Sequence, residues 1–317
     1  MGNSRSFPIA VAISLISWSC AFGQARTVAI TVDDLPYAGR SAGSPNGLGA
    51  EAEAKVINDK LLTAFKAHHV PVTGFVIETN VESLGHTGTQ ILKQWIKQGY
   101  DLGNHSYSHP DMNDLTEQQI KEEIVRGEAT FAPLMKAPGK QPEYFRFPMN
   151  HTGDTKEKHD AIAAFLAQRG YKLAVCTIDT EDYIFNTAYV QALAKHDAES
   201  ARKVRLEYLA YTSTEIDYYA KLNEQVFGYE PPQVMLLHDN WLNADTIDQV
   251  LALFEKKGYR FVSLSEAQSD RAYETPDTYV TKDGMMWGYR WARERGVKVN
   301  GSLETEPPKW IFEYGKN

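Results

Sequence analysis

The chain has 317 residues, 43% of them hydrophobic, and a formal net charge of −8 at pH 7. That hydrophobic share is ordinary for a globular protein with a full core, and the length suits either two domains or one α/β barrel. The acidic balance excludes a nucleic-acid backbone as the main partner, because such binding needs a basic surface. It leaves any neutral substrate open.

At the N-terminus, Arg5 precedes an apolar stretch over 7–22, and Ala21-Phe22-Gly23 puts small residues at the two positions a signal peptidase reads. This build predicts a signal peptide over residues 1–24 and export to the periplasm or the outside of the cell. The run is too short and too Ser-rich to span a bilayer, so no stable transmembrane anchor is expected. A lipid anchor on Cys20 is a weaker alternative, since Ser17 stands where a lipoprotein signal usually has Leu. Removal of the signal would leave Cys176 without a disulfide partner. Lying in the apolar run 173–178, Cys176 reads as a small core residue.

Short apolar runs rich in β-branched or aromatic residues predict strands over 28–32, 72–77, 100–104, 144–147, 173–178, 234–237 and 260–264. Between them lie amphipathic stretches over 50–68, 90–98, 115–135, 156–168, 188–225 and 244–257. Strands alternating with helices predict a parallel sheet with helical crossovers, an α/β fold whose seven or so strands suit a barrel or a strongly curved sheet. The pairs Gly99-Tyr100, Gly170-Tyr171 and Gly258-Tyr259 each separate a helix end from a strand, where glycine can close the helix in the left-handed conformation. Thr116 with Gln119 forms a capping box. The stretch 188–225 is long enough for two helices. After Ser265 the pattern stops, which predicts a catalytic domain over 25–267 and a C-terminal extension over 268–317, rich in Gly and Trp, packing on the barrel.

In a parallel α/β barrel the side chains at the C-terminal strand ends form the active site. Those ends carry Asp33-Asp34, then His105 and His109, then Arg146, then Asp179 with Asp182-Tyr183, then His238-Asp239. The i, i+4 spacing of His105 and His109 would put two imidazoles on one face of a helical turn, close enough to share a cation. Alone this is weak, because two histidines at that interval occur by chance. At a strand end, with Asp34 at a neighbouring one, it becomes a two-histidine, one-carboxylate set with open coordination positions, as catalytic zinc sites have. The Asp33-Asp34 pair has a plainer alternative, a solvated turn or a helix cap. Adjacent strand residues point in different directions, however, so one carboxylate can bind a metal while the other faces a substrate water.

The segments Thr31-Val-Asp-Asp-Leu-Pro36, His105-Ser-Tyr-Ser-His109, Arg146-Phe-Pro148, Asp179-Thr-Glu-Asp-Tyr183 and Leu236-Leu-His238 occur in that order. Together they resemble the five motifs of the polysaccharide deacetylase family, the NodB-homology proteins of carbohydrate esterase family 4, over residues 29–267. The resemblance implies an irregular (β/α) barrel of about seven parallel strands. It also implies a metal-dependent hydrolase that removes acetyl groups from an acetylated carbohydrate. Polymers containing N-acetylglucosamine, as in peptidoglycan or chitin, lead the candidates, and acetylated xylan stays open. By the same resemblance Asp33 would be the general base, paired with Arg146. Asp34, His105 and His109 would hold a divalent metal, zinc first and cobalt as an alternative. His238 would be the general acid, oriented by Asp179. Leu236 and Tyr183 would line the acetyl pocket, and the Met149 N–H would help form the oxyanion hole.

The chain departs from the family pattern at Val32 and Leu35, where Phe and Gly are usual, at Met149-Asn150, where an aromatic and Gly are usual, and at Tyr183, where Trp is usual. His151, in the altered loop, is either a replacement for a lost contact or an ordinary surface histidine. Two rival functions remain at this level: an amidase or imidase acting on a small cyclic amide, and a carbohydrate-binding relative without catalysis.

Overall fold

A computed structural model describes residues 2, 25–39, 47–136 and 139–316. The expected signal segment, with Cys20, lies outside the described residues apart from Gly2. Among the described residues there are seven strands: β1 (Thr27–Leu35), β2 (Thr73–Val76), β3 (Asp101–Asn104), β4 (Tyr144–Phe145), β5 (Lys172–Leu173), β6 (Gln233–His238) and β7 (Arg260–Phe261). They alternate with helices α1 (Ala50–Ala67), α2 (Glu78–Lys97), α3 (Glu117–Arg126), α4 (Phe131–Lys136), α5 (Lys156–Gln168), α6 (Asp182–Ala194), α7 (Ala198–Phe227), α8 (Trp241–Lys256) and α9 (Leu264–Ala267).

The sheet runs β5-β4-β3-β2-β1-β6 with every pair parallel, and β7 pairs with the start of β1. Its curl nearly closes. Lys172 and Leu173 register with β4, and a few residues on Ile178 bridges to Met235 of β6, so the segment 172–178 touches both edges of the sheet. Central β1 is buried along most of its length, as a strand covered on both faces must be, and Val28, Ile30 and Val32 belong to the main core. This is the expected α/β barrel-like fold.

Local signals account for many boundaries. The three Gly-Tyr pairs sit where expected, with glycine φ of 91°, 79° and 79° at 99, 170 and 258. The Thr116/Gln119 capping box is formed in both directions. Three helical expectations change. Helix α2 begins at Glu78 rather than near 90, with a non-helical kink at Gly85 that hides its period in the sequence. The stretch 115–135 divides into α3 and α4 at Gly127. A Cβ on Gly127 would meet Asn104 Oδ1 and the Ser106 carbonyl carbon, each at 2.6 Å, so the bare backbone lets this helix end press on the loop after β3. The stretch 188–225 is two helices, α6 and α7, and α6 already starts at Asp182.

Beyond α9 come α10 (Trp287–Glu294) and α11 (Lys309–Gly315). The Trp287 N–H donates to the Cys176 carbonyl at 3.0 Å, and Trp287 and Trp291 pack with Val175 and Val226. Ile311 of α11 joins the main core. Among the described residues no helix is long and apolar enough to cross a membrane.

Candidate functional site

The C-terminal ends of the strands surround a cavity of about 550 Å³. Strand β1 delivers two carboxylates there. Asp33, 3% exposed, accepts a hydrogen bond on Oδ1 from Arg146 Nη1 at 3.0 Å. Arg146 is itself wholly buried and is fixed by further donation to Thr31 Oγ1 (2.7 Å) and the Ala174 carbonyl (3.3 Å), with its guanidinium over the Phe75 ring. Burial pushes the Asp33 carboxyl up to about 6, against the pull of Arg146 and His238.

At Asp34 the backbone turns left-handed (φ 68°), which sends the second carboxylate elsewhere. Its buried Oδ1 has no hydrogen-bond partner and lies 3.6 Å from Nε2 of both His105 and His109. His105 Nδ1 stands 2.9 Å from the Arg146 carbonyl. A carbonyl only accepts, so Nδ1 carries the proton and the Nε2 lone pair faces the cluster. Burial holds His105 well below the usual imidazole range, helped by His109 beside it, which keeps it neutral as a ligand must be. The three donor atoms lie within 4.8 Å of one another. An orphaned carboxylate oxygen and two imidazole nitrogens so disposed fit a divalent cation.

The route by which His109 arrives differs from expectation. Residues 105–109 form a bend rather than a helical turn, with Ser106 and His109 at φ of 70° and 54°. Side chains hold the bend: Ser106 N–H donates to Asn104 Oδ1 (2.8 Å), His109 N–H to Ser106 Oγ (3.0 Å), and Ser108 N–H to Glu123 Oε2 (2.8 Å).

His238 ends β6. Its Nδ1 lies 2.5 Å from Asp182 Oδ1, and its N–H donates to Asp182 Oδ2 at 2.8 Å. Burial would lower the imidazole, but the charge and hydrogen bond of Asp182 outweigh it and hold His238 well above its ordinary value. Asp182, itself opposed by burial, is held below the usual carboxylate range by His238. The expected partner, Asp179, does not make this contact. It accepts from the Glu181 N–H at 2.9 Å and lines the cavity, its carboxyl raised by burial. The motif Asp179-Thr-Glu-Asp-Tyr183 offers two aspartates, and the start of α6 turns the second toward β6. Asp239 leaves the cavity altogether, with Oδ2 accepting from Asn58 Nδ2 at 3.0 Å.

The remaining expected residues, Leu236, Tyr183 and Met149, all line the cavity. Tyr183 (52% exposed) and Met149 (45% exposed) stand at its rim. His151 also lines it, with Nδ1 2.7 Å from Asp111 Oδ1, so it is a held wall residue rather than a loose surface one. Sequence reasoning passed over Glu181, which borders the cavity at φ 49° with its carboxyl raised to about 7 by burial and by Asp179. It also passed over Gly284, a cavity residue contributed by the C-terminal extension.

The sequence model of the polysaccharide deacetylase family matches residues 23–174. A chitin deacetylase of Arthroderma benhamiae is 28% identical over 157 residues, which are 50% of this chain and 35% of that protein. A peptidoglycan-N-acetylglucosamine deacetylase of Bacillus cereus is 25% identical over 124 residues, 39% of this chain and 40% of that one. The chain thus spans well under half the length of either named relative. An uncharacterized 30.6 kDa protein of Geobacillus stearothermophilus is 25% identical over 224 residues, 69% of each chain. The fold is shared with the crystal structure of the polysaccharide deacetylase Bc1974 from Bacillus cereus, at TM-score 0.50 and 19% identity, covering 75% of this chain and 91% of that one. The sequence match, over a little under half of the chain, agrees with the order of the five motif segments around the cavity, and over that stretch the chain is similar to the polysaccharide deacetylase family, the NodB-homology proteins of carbohydrate esterase family 4.

Proposed function

We propose that this protein is an exported, metal-dependent hydrolase that removes acetyl groups from a polysaccharide containing N-acetylglucosamine, of the peptidoglycan or chitin type. The observation that carries the reading is the meeting of two proton carriers, a carboxylate and an imidazole, with one set of metal donors. Asp33 Oδ2 lies 3.6 Å from His105 Nε2, inside the donor cluster, while His238 follows directly across the β1–β6 ladder, in register with Asp33. The names of the two relatives above supply the substrate class.

Asp34, His105 and His109 would hold the ion, zinc by preference with cobalt as an alternative. A divalent cation bound there polarises a carbonyl and lowers the pKa of a water. The chain's own groups do the rest. Arg146 occupies Asp33 Oδ1 and leaves Oδ2 to take the proton of the attacking water. At neutral pH a carboxyl raised to about 6 is ionised yet basic enough for the task. His238 keeps its proton because Asp182 stabilises the charged ring, and it delivers a proton from Nε2 to the departing amine or alcohol. The Met149 N–H donates to the oxygen on which negative charge develops. Tyr183 and Leu236, which line the cavity with Asp179, flank the acetyl group.

Acetate release from peptidoglycan, N-acetylglucosamine oligomers and acetylated xylan, with zinc or cobalt supplied, tests the reading. Release from the first two is expected. Asp33→Asn should keep the metal and lose turnover by roughly two orders of magnitude or more. No acetate from any of the three, or ring opening of a cyclic imide in its place, would sink it.

A further inference from the structure

The family's sequence model ends at residue 174, yet a segment more than a hundred residues later forms part of the cavity wall. Gly284 runs so close to the corner after β4 that a Cβ there would stand 1.9 Å from the Met149 carbonyl oxygen and 3.5 Å from Asn150 Cβ. Backbone on backbone, neither side has a flexible group that could give way. Two more ties flank this contact. Asn113 Nδ2 donates to the Lys282 carbonyl (2.9 Å) and lies 3.0 Å from His151 Nδ1. Arg290, wholly buried, pairs with both oxygens of Asp277 (2.9 and 2.6 Å) and donates to the Tyr279 carbonyl (2.8 Å) and to Thr152 Oγ1 (2.8 Å). The extension therefore grips the corner directly at 149 and 152, and through Asn113 at 151.

The corner has a reason to need gripping. Met149 and Asn150 both have φ of 54°, a left-handed pair without a glycine. Side chains with a Cβ disfavour that region, and such residues persist only where their surroundings hold them. The barrel itself offers the corner two backbone hydrogen bonds, Asn150 N–H to the Phe147 carbonyl and His151 N–H to the Pro148 carbonyl (3.1 Å each), and a weak sulfur contact, Cys176 Sγ to Asn150 Oδ1 at 3.7 Å. The Met149 amide is also the group assigned above to the developing oxyanion, where a misplacement of an ångström costs rate.

We propose that the segment 277–290 of the C-terminal extension is a working part of the catalytic cavity, which holds the Met149–Asn150 corner in its left-handed conformation, with Gly284 as the positioning residue. The catalytic half of this statement rests on the oxyanion role of Met149; the positioning half does not. In Gly284→Ala the added methyl must displace the Met149 carbonyl, whose peptide plane carries the Asn150 N–H; the adjoining plane, which carries the Met149 N–H, is hinged to it at the Met149 Cα, so the left-handed Met149 must change its backbone angles and re-aim that N–H. Asn113→Ala removes the tie to Lys282 without touching the glycine.

The test uses the full chain. Gly284→Ala should lower kcat on an N-acetylglucosamine oligomer by about tenfold or more, as expected for a displaced oxyanion donor, with KM and bound metal close to the parent. Amide hydrogen exchange should quicken in the peptide 147–152 and stay unchanged in β1 and β6. Asn113→Ala should move both readouts the same way by a smaller amount, and it decides the matter if Gly284→Ala does not fold. Faster exchange in a protein that never releases acetate would leave the positioning intact and remove the deacetylase reading. Unchanged exchange in both variants, or a change in KM alone, would overturn the proposal.

Discussion

The two sides of the cavity are built by different means. Asp33 and Asp34 stand near the end of a nine-residue strand, and His238 ends a six-residue one; the two strands are in continuous register from Val28 opposite Gln233 to Asp33 opposite His238. Met149 instead follows a two-residue strand, and its conformation is held by side chains and by a distant segment. Backbone ladders fix the first side to within the spacing of neighbouring strands. The second is fixed by packing, which can vary from chain to chain without unseating the ladder. The departures from the family pattern fall on both sides: Val32 and Leu35 on β1 and Tyr183 6.0 Å from the His238 ring, Met149-Asn150 at the packed corner.

Three measurements break or sharpen this contrast. The largest effect is expected on the ladder side. His105→Ala removes one of three donors and should lose both the bound ion and activity, since two ligands hold zinc far less firmly than three. Metal analysis and acetate release check it, and a variant with a full complement of metal and the parent rate would dissolve the ligand assignment.

The next effect concerns how the proton carriers are tuned. Activity should fall as pH drops through about 6, where Asp33 protonates, and again at high pH where His238 loses its proton. Asp182→Asn removes the negative charge that raises His238, so the alkaline limb should move to lower pH while the acid limb near 6 stays. The kcat/KM profile reads both limbs. If Asp179→Asn moved the alkaline limb and Asp182→Asn did not, the contact seen at 2.5 Å would have no catalytic meaning.

The smallest effect belongs to the packed side. Glu215 of α7 accepts from Thr305 of the extension, keeps a buried oxygen without a partner, and is raised to about 7, chiefly by burial and also by Glu304 and Asp179. A carboxyl near 4.5 in the unfolded chain and near 7 in the folded one binds its proton more tightly when folded. Stability therefore declines as pH rises from about 4.5 to about 7 and levels off above. Glu215→Gln should flatten that decline, giving a Tm advantage of a few degrees at pH 8 and little at pH 4. Parallel Tm curves for the two proteins would refute it.

Much of the ladder side was legible in the sequence because its signals are local. Apolar runs marked β1 and β6, helix α5 ran over the residues expected, and the charged residues followed the strand ends. What escaped depended on partners distant in the chain. The His105–His109 interval suggests a helical turn, but Asn104 and Glu123 bend it into a left-handed loop that brings the imidazoles together all the same. Asp179 and Asp182 are equivalent on paper, and only the direction of α6 chooses between them. Nothing near Gly284 in the sequence points to Met149, because their contact depends on how the whole tail wraps the barrel.

The register of Asp33 with His238 has a consequence for how such a chain can diverge. Parallel neighbours are locked at whole-residue steps, and a slip of one residue turns a side chain to the opposite face. An insertion or deletion within β1 or β6 would carry the carboxylate or the imidazole out of the cavity at a stroke. Descendants can change Asp33 and His238 by substitution but not by length, whereas the corner after β4 is bound to no such register and changes only together with the tail that packs on it.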